Sequence, residues 1–253
     1  MSEIVQSDAL KGRVAVVVGG SGGIGSEACR LLAQAGARVV IGYRSAEKTA
    51  RAIAEALPGI GHIALPVAIE DTSSIVAFHA AALSACGRAD ILVNAAGVTK
   101  PVPHADLEAL TDEIIDQVFV NNWRGVFATI RAFAPALAAT DDGLIVNVSS
   151  IAAFTGIGSN IAYCGAKAGL DIMTNSLARA LAPAIRVMAV SPGVVDTEFV
   201  PGRGQEFKDK AAAATPLKRI TTPTDVAEAI LACATHLKFS TGTRLVVDGG
   251  RHL

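Results

Sequence analysis

Tyr163 and Lys167 stand four residues apart in the run Tyr163-Cys164-Gly165-Ala166-Lys167, and Tyr163 is one of only two tyrosines in this 253-residue chain. If the run is helical, phenol and ammonium share one face, because residues four apart are helix neighbours. A cation beside a phenol favours the phenolate and lowers its pKa from about 10. A tyrosine tuned in this way exchanges a proton near neutral pH. Ser150, thirteen residues upstream of Tyr163, follows the apolar run Leu144-Ile145-Val146-Asn147-Val148. Two hydroxyls and one cation brought together suit proton transfer to or from a carbonyl oxygen. The spacing alone does not decide this; the elements that must position the three residues carry more weight.

Val14-Ala15-Val16-Val17-Val18 is a short β-branched run, as expected of a strand buried on both faces. Gly19-Gly20-Ser21-Gly22-Gly23-Ile24-Gly25 follows at once, and Glu27 to Ala35 reads as a helix ended by Gly36. Strand, glycine loop and helix together aim backbone N–H groups and a helix N-terminus at a pyrophosphate. Two glycine registers fit: Gly20, Gly22 and Gly25, or Gly19, Gly23 and Gly25. A second strand, Arg38-Val39-Val40-Ile41-Gly42, ends in Tyr43-Arg44-Ser45, with no acid before Glu47. A free ribose 2′-hydroxyl calls for Asp or Glu there and a 2′-phosphate for Arg, whose planar fork matches phosphate oxygens. The expected cofactor is therefore NADP(H) rather than NAD(H). Residues 14–18, 38–42, 62–67, 90–94, 144–148, 185–190 and 244–247 read as strands alternating with helices. That alternation predicts an α/β Rossmann fold over residues 1–253 as one domain, a doubly wound parallel sheet of about seven strands with helices on both faces.

Composition narrows the class. A net charge of −1 gives no nucleic-acid footprint. Hydrophobic residues make up 51% and the mean hydropathy is +0.45, enough for a large core. No apolar run approaches the ~20 residues of a membrane span. Residues 1–12 lack the basic and apolar regions of a signal peptide. Cys29, Cys86, Cys164 and Cys233 are scattered without a Cys-x-x-Cys pair, which favours free thiols. The five histidines are scattered too, so no metal site is expected. Asn147-Val148-Ser149 matches a glycosylation acceptor but falls in a predicted buried strand. The reading is a cytoplasmic enzyme acting on a small molecule.

The ordered motifs resemble the short-chain dehydrogenase/reductase family, closest in pattern to the 3-oxoacyl-[acyl-carrier-protein] reductases. The likeness runs from Leu10-Lys11-Gly12-Arg13 to Val247-Asp248-Gly249-Gly250. It takes in the glycine register Gly19, Gly23 and Gly25, Asn94-Ala95-Ala96-Gly97, Asn122, Ser149-Ser150, Tyr163 to Lys167, and Ser191-Pro192-Gly193-Val194-Val195-Asp196-Thr197. The resemblance implies Ser150, Tyr163 and Lys167 as the catalytic set, with Asn122 holding a water that relays protons to Lys167. It implies a cofactor bed of Gly19, Ser21, Gly22, Gly23, Ile24, Gly25, Tyr43, Arg44, Ser45, Ala68, Ile69, Asn94, Ala95, Ala96 and Gly97. Tyr163, Lys167, Pro192, Gly193, Val195 and Thr197 complete that bed. The glycine-rich stretch from Thr197, about 197–215, reads as a substrate lid.

Departures from the family pattern are Val18 for the usual Thr, Gly22 for a basic residue, Ala68 for Asp and Met188 for Asn. Recognition of a 2′-phosphate would thus rest mainly on Arg44. The resemblance also implies a homotetramer using the C-terminal segment and the helix Ala166 to Leu181, whose apolar stripe is Leu170, Met173, Leu177 and Leu181. Carrier-protein reductases present basic residues where this chain reads Ala139-Thr140-Asp141-Asp142-Gly143 and Ala182-Pro183-Ala184. With Phe154, Ile157 and Ile161 toward the pocket, small β-keto esters or other apolar ketones are expected, with weak preference for carrier-linked forms. The alternatives are a true fatty-acid-synthesis reductase, an NAD-linked alcohol or sugar dehydrogenase, and a non-catalytic nucleotide-binding sensor or scaffold.

Overall fold

The computed structural model describes residues 8–202 and 204–253. Residues 1–7, part of the stretch read as lacking a signal peptide, lie outside them. Seven parallel strands among the described residues form one sheet: β1 (Val14–Val18), β2 (Arg38–Tyr43), β3 (Ile63–Pro66), β4 (Ile91–Asn94), β5 (Gly143–Val148), β6 (Ile185–Pro192) and β7 (Arg244–Val247). Their order is β3-β2-β1-β4-β5-β6-β7. The helices are α1 (Gly23–Gln34), α2 (Glu47–Ala56), α3 (Thr72–Cys86), α4 (Asp112–Phe119), α5 (Gly125–Ala138), α6 (Ala152–Thr155), α7 (Ile161–Leu181), α8 (Gln205–Ala213) and α9 (Pro223–Thr235).

Alternation along β1 shows why these runs are strands. Ala15 and Val17 pack into one core with α1 and α9, while Val14, Val16 and Val18 pack into the other with α3, α5 and α7. A strand covered on both faces needs apolar residues at every position, and a period-3.6 pattern would not supply them. Strand order reverses between β1 and β4, so the carboxyl ends of the strands open there into a crevice. The sequence-predicted strands are all present, with ends moved by two residues at most.

Two elements differ from expectation. Helix α1 starts at Gly23, inside the glycine loop, and not at Glu27. Its first N–H groups have no intrahelical partner in any case, so glycines there cost little. The apolar stripe on α7 is used by the sheet: Leu170 and Met173 are buried in the second core, and Leu177 and Leu181 are partly buried against it. Leu170 and Met173 are therefore core residues, while Leu177 and Leu181 keep part of their surface open. Between α4 and α5 the chain makes a π-helical turn, Val120–Arg124.

The base of the sheet is held by a charge cluster. Asp142, just before β5, accepts from Arg13 (3.1 Å), Arg186 (3.0 Å) and Lys238 (2.6 Å). Burial opposes ionisation of Asp142, but the Lys238 and Arg186 contacts outweigh it and hold the carboxyl below its ordinary value. One of the two acids read as repelling a carrier protein is thus an internal tie; Asp141 alone remains exposed.

Candidate active site

Helix α7 is started by Asn160, whose Oδ1 accepts from the Tyr163 N–H at 2.6 Å. The same side chain donates to the Lys100 carbonyl at 2.8 Å, so the cap also ties the helix to the loop after β4. Capping side chains of this type contribute about 1 kcal/mol. One turn on, Lys167 is 4% exposed, and its Nζ lies 5.7 Å from the centre of the Tyr163 ring. Nζ donates to the Val148 carbonyl at the end of β5, at 2.7 Å. Burial pulls the Lys167 pKa down to about 8, while Asp171, one further turn along, acts against that fall. Asp171 accepts in turn from Arg244 at 2.7 Å.

Ser150 lies two residues beyond β5 and is 9% exposed, with Oγ accepting from the Ala152 N–H at 3.1 Å. The strand beneath is fixed by a buried amide chain. Asn94 donates to Asn147 at 2.9 Å, and Asn147 donates to Thr174 of α7 at 3.0 Å. Ser150, Tyr163 and Lys167 all line one cleft of about 750 Å³, with Pro192, Gly193, Val195 and Thr197. Phe154 and Ile157 line it too, as expected; Ile161 does not, because it points to the exposed side of α7.

A second cleft of about 590 Å³ holds Gly19, Ser21, Gly22, Gly23, Ile24, Gly25, Tyr43, Arg44 and Ile69. The two clefts share Ile24, Ala95, Ala96, Gly97 and Thr197, so they form one continuous groove. The glycine register is set by crowding. Gly19 has φ +82°, a Cβ on it would meet the Ala96 nitrogen at 2.6 Å, and a Cβ on Gly25 would lie 2.1 Å from the Gly19 oxygen. A Cβ on Gly23 would meet the Thr197 methyl at 2.6 Å, whereas one on Gly22 meets nothing closer than 3.4 Å. A Cβ on Gly20 would also crowd Ile41, at 2.9 Å, so Gly22 is the least constrained of these glycines, which favours the register Gly19, Gly23 and Gly25. A cradle with no room for Cβ atoms, closed by the first turn of α1, fits a dinucleotide pyrophosphate.

Several expected contacts fall elsewhere. Asn122 is fully buried in the π-helical turn and spends both amide hydrogens on the Val98 and Val118 carbonyls, each at 2.8 Å. Its side chain fastens the loop after β4 to the helix and lines neither cleft. Asn94 lies beneath the groove in the amide chain, and Ser45 and Ala68 stand outside the lining. Arg44 does line the cleft but forms an ion pair with Glu70 at 2.5 Å. The other Glu70 carboxylate oxygen is buried without a hydrogen-bond partner. Sequence reasoning missed Glu70, although it directly follows Ala68-Ile69. It also missed the cap Asn160, and Phe199, whose ring lies 6.1 Å from that of Tyr163.

The sequence and the fold resemble those of known proteins. A family model described as Enoyl-(Acyl carrier protein) reductase matches residues 18–252. The chain is 38% identical over 252 residues to a protein of Streptomyces violaceoruber named as ketoacyl reductase 2 of the granaticin polyketide synthase, covering 98% of this chain and 99% of that one. It belongs to the short-chain dehydrogenase/reductase family. A cis-4-hydroxycyclohexanecarboxylate dehydrogenase of Sinomonas cyclohexanicum is 38% identical over 249 residues, covering 96% of this chain and 98% of its own. A crystal structure of 3-ketoacyl-(acyl-carrier-protein) reductase from Brucella melitensis complexed with NADH superposes with a TM-score of 0.88 at 31% identity, covering 96% of this chain and 100% of that one. The short-chain dehydrogenase/reductase fold explains why the groove lies at the strand reversal, and the chain is an oxidoreductase of that family using a nicotinamide cofactor.

The Lys167 environment yields a test. Because Asp171 opposes the depression of the Lys167 pKa, Asp171→Asn should move that pKa further below about 8. Titration of the lysine side-chain NMR signal checks this, and an unchanged or higher value would remove Asp171 from the account.

Proposed function

We propose that the protein interconverts a carbonyl and a secondary alcohol, with NADP(H) as hydride carrier and Tyr163 as general acid and base. The single observation that carries this reading is that Ser150, Tyr163 and Lys167 line one cleft continuous with the glycine-loop cleft. The glycine loop and the first turn of α1 would hold the pyrophosphate, Tyr43, Arg44 and Ile69 the adenosine end, and Pro192, Gly193, Val195 and Thr197 the nicotinamide end. When bound, the cofactor supplies or accepts the hydride. Ser150 would hold the substrate oxygen, and Tyr163 would give that oxygen its proton in reduction and remove it in oxidation. Lys167 would bind ribose hydroxyls and favour the phenolate by its charge. Asn122 would serve the proton relay through its main-chain carbonyl, since its amide hydrogens are engaged.

Small β-keto esters and other apolar ketones remain the proposed substrates, supported by the apolar lining of Phe154, Ile157, Phe199 and Phe207. The argument against carrier-linked substrates now rests on Asp141 and on the absence of basic residues at Ala182-Pro183-Ala184. A panel of such ketones with NADPH and NADH tests the reading. Tyr163→Phe should remove nearly all turnover while leaving NADPH affinity nearly unchanged. Retention of more than about a tenth of wild-type kcat would overturn the acid–base role, since such groups typically contribute 10²–10⁴-fold.

The Arg44–Glu70 pair favours a second reading, in which NADH is used as well, because a guanidinium already engaged attracts a 2′-phosphate less. Arg44→Asp should weaken NADPH binding by about 2–3 kcal/mol, the scale of a lost charge-assisted contact plus repulsion. Glu70→Gln should shift the ratio of dissociation constants toward NADPH. Fluorescence titration of both cofactors measures this, and equal NADPH and NADH affinities in wild type and Arg44→Asp would make Arg44 a surface residue only.

The proposed location is the cytoplasm, supported by four cysteines without a disulfide; no helix among the described residues is long and apolar enough to cross a membrane. The proposed assembly is a homotetramer. With Leu170 and Met173 of the α7 stripe spent on the sheet, support comes from Phe119, Trp123 and Ile172, which are 40%, 37% and 65% exposed on adjoining elements. Light scattering at micromolar concentration should give four times the chain mass, and a monomeric mass would refute it.

A further inference from the structure

The cleft that holds Ser150 and Tyr163 has an uneven charge. Its lining includes Lys167, Arg251 and His252, and no Asp or Glu among the described residues. Lys167 lies at the tyrosine side of the groove: one of its Nζ donors is bonded to Val148, and the others are assigned above to the cofactor ribose. His252 is occupied. Its Nδ1 and backbone N–H both meet the Asp248 carboxylate, each at 2.8 Å, and its ring stands edge-on to Phe154 at 5.6 Å. That arrangement engages the Asp248 carboxylate with His252. Asp248 also accepts from the Gly250 N–H at 2.9 Å.

Arg251 is different. Its guanidinium makes one hydrogen bond, from Nη1 to the Ala211 carbonyl of α8 at 3.0 Å, and no ion pair among the described residues. A guanidinium carries five N–H donors in a rigid fork, so most of its capacity faces the cleft or solvent. Much of the remaining wall is apolar, with Phe154, Ile157, Phe199, Val200 and Phe207, interrupted by Thr155, Ser159 and Thr197. An unpaired guanidinium beside apolar surface, with no acid in the lining, is the complement of an apolar body ending in a carboxylate.

We propose that Arg251 forms an anion subsite of the substrate cleft and that the preferred substrates are keto acids or hydroxy acids, the carboxylate seated on Arg251 while the carbonyl or hydroxyl meets Ser150 and Tyr163. This rests on the carbonyl-reductase reading above and departs from it on the substrate, with keto acids preferred over the neutral keto esters and apolar ketones named there. The subsite belongs to the C-terminal turn and the lid helix together, because Ala211 fixes the guanidinium. The shared chemistry is an anionic oxygen cluster, so a phosphate on a pantetheine thioester is a second possible source.

The test compares 5-oxohexanoate with its neutral ethyl ester as substrates, in wild type, Arg251→Ala and Arg251→Lys. Expected is a kcat/KM advantage of about tenfold or more for the acid, lost in Arg251→Ala chiefly through KM and largely kept in Arg251→Lys, as a charge-assisted contact predicts. A merely structural role for Arg251 would lower acid and ester alike, and either that result or equal wild-type rates for the two would overturn the proposal. Acetoacetyl thioesters of pantetheine and 4′-phosphopantetheine form a second arm. An Arg251-dependent preference confined to the phosphorylated form, with none for the keto acid, would replace the carboxylate by the phosphate. Calorimetric binding of hexanoate, an unreactive carboxylate, separates the two levels. If no ketone is turned over, the reductase reading falls, while hexanoate binding abolished by Arg251→Ala still upholds the subsite and absence of hexanoate binding to wild type overturns it.

Discussion

One buried ammonium sets the terms for the rest of the site. Lys167 sits almost out of water, and an unpaired charge there would cost several kcal/mol. The Val148 carbonyl, the Tyr163 ring and Asp171 offset that cost from three directions. Val148 is placed by the end of β5, while Tyr163 and Asp171 stand one turn to either side of Lys167 on α7, Asp171 being held in turn by Arg244 of β7. The arrangement therefore demands that α7 lie across β5 at a fixed height. The Asn94–Asn147–Thr174 chain beneath supplies that height, since a buried amide is tolerated only with its partners in place. The acid–base role proposed for Tyr163 and the rigidity of the sheet–helix contact are the same requirement seen at two levels.

Most of the fold was legible because buried parallel strands leave an unmistakable record. Continuous runs such as Val14 to Val18 have few competing explanations, and the helices between them are long enough to show a period. The proposed catalytic residues were legible for a related reason: Tyr163 and Lys167 are local in sequence, and one helix turn joins them. What could not be read was anything set by contacts between distant segments. The stripe on α7 reads equally as a core face or as an interface, and only the sheet beneath it decides. Asp142 reads as a surface acid until Arg13, Arg186 and Lys238, from three remote parts of the chain, converge on it. Asn122 carries the same lesson. Its type and place fit a polar active-site residue, yet its side chain is consumed by Val98 and Val118.

The adenosine end shows a local cue that was available but unweighted. Arg44 was judged by its own neighbours in sequence, where no acid appears before Glu47. Strands β2 and β3 are adjacent in the sheet, however, with Tyr43 paired to Pro66, so residues following the two strands meet in space. Any charge just after β3 therefore bears on the charge just after β2. A search by sheet adjacency, in place of sequence adjacency, would have brought Glu70 to Arg44.

Thr197 has a reach beyond its own cleft. Its methyl occupies the space that a Cβ on Gly23 would claim, so the root of the proposed lid rests directly on the glycine loop. Loop exchange is a common way to give an enzyme of this architecture a new specificity, and it treats the lid as a detachable part. Here the seam of such a graft would run through a contact that also shapes the glycine turn. A transplant beginning before Thr197 would carry a new shape into the cofactor bed, while one beginning after it would leave the bed intact and alter only the roof.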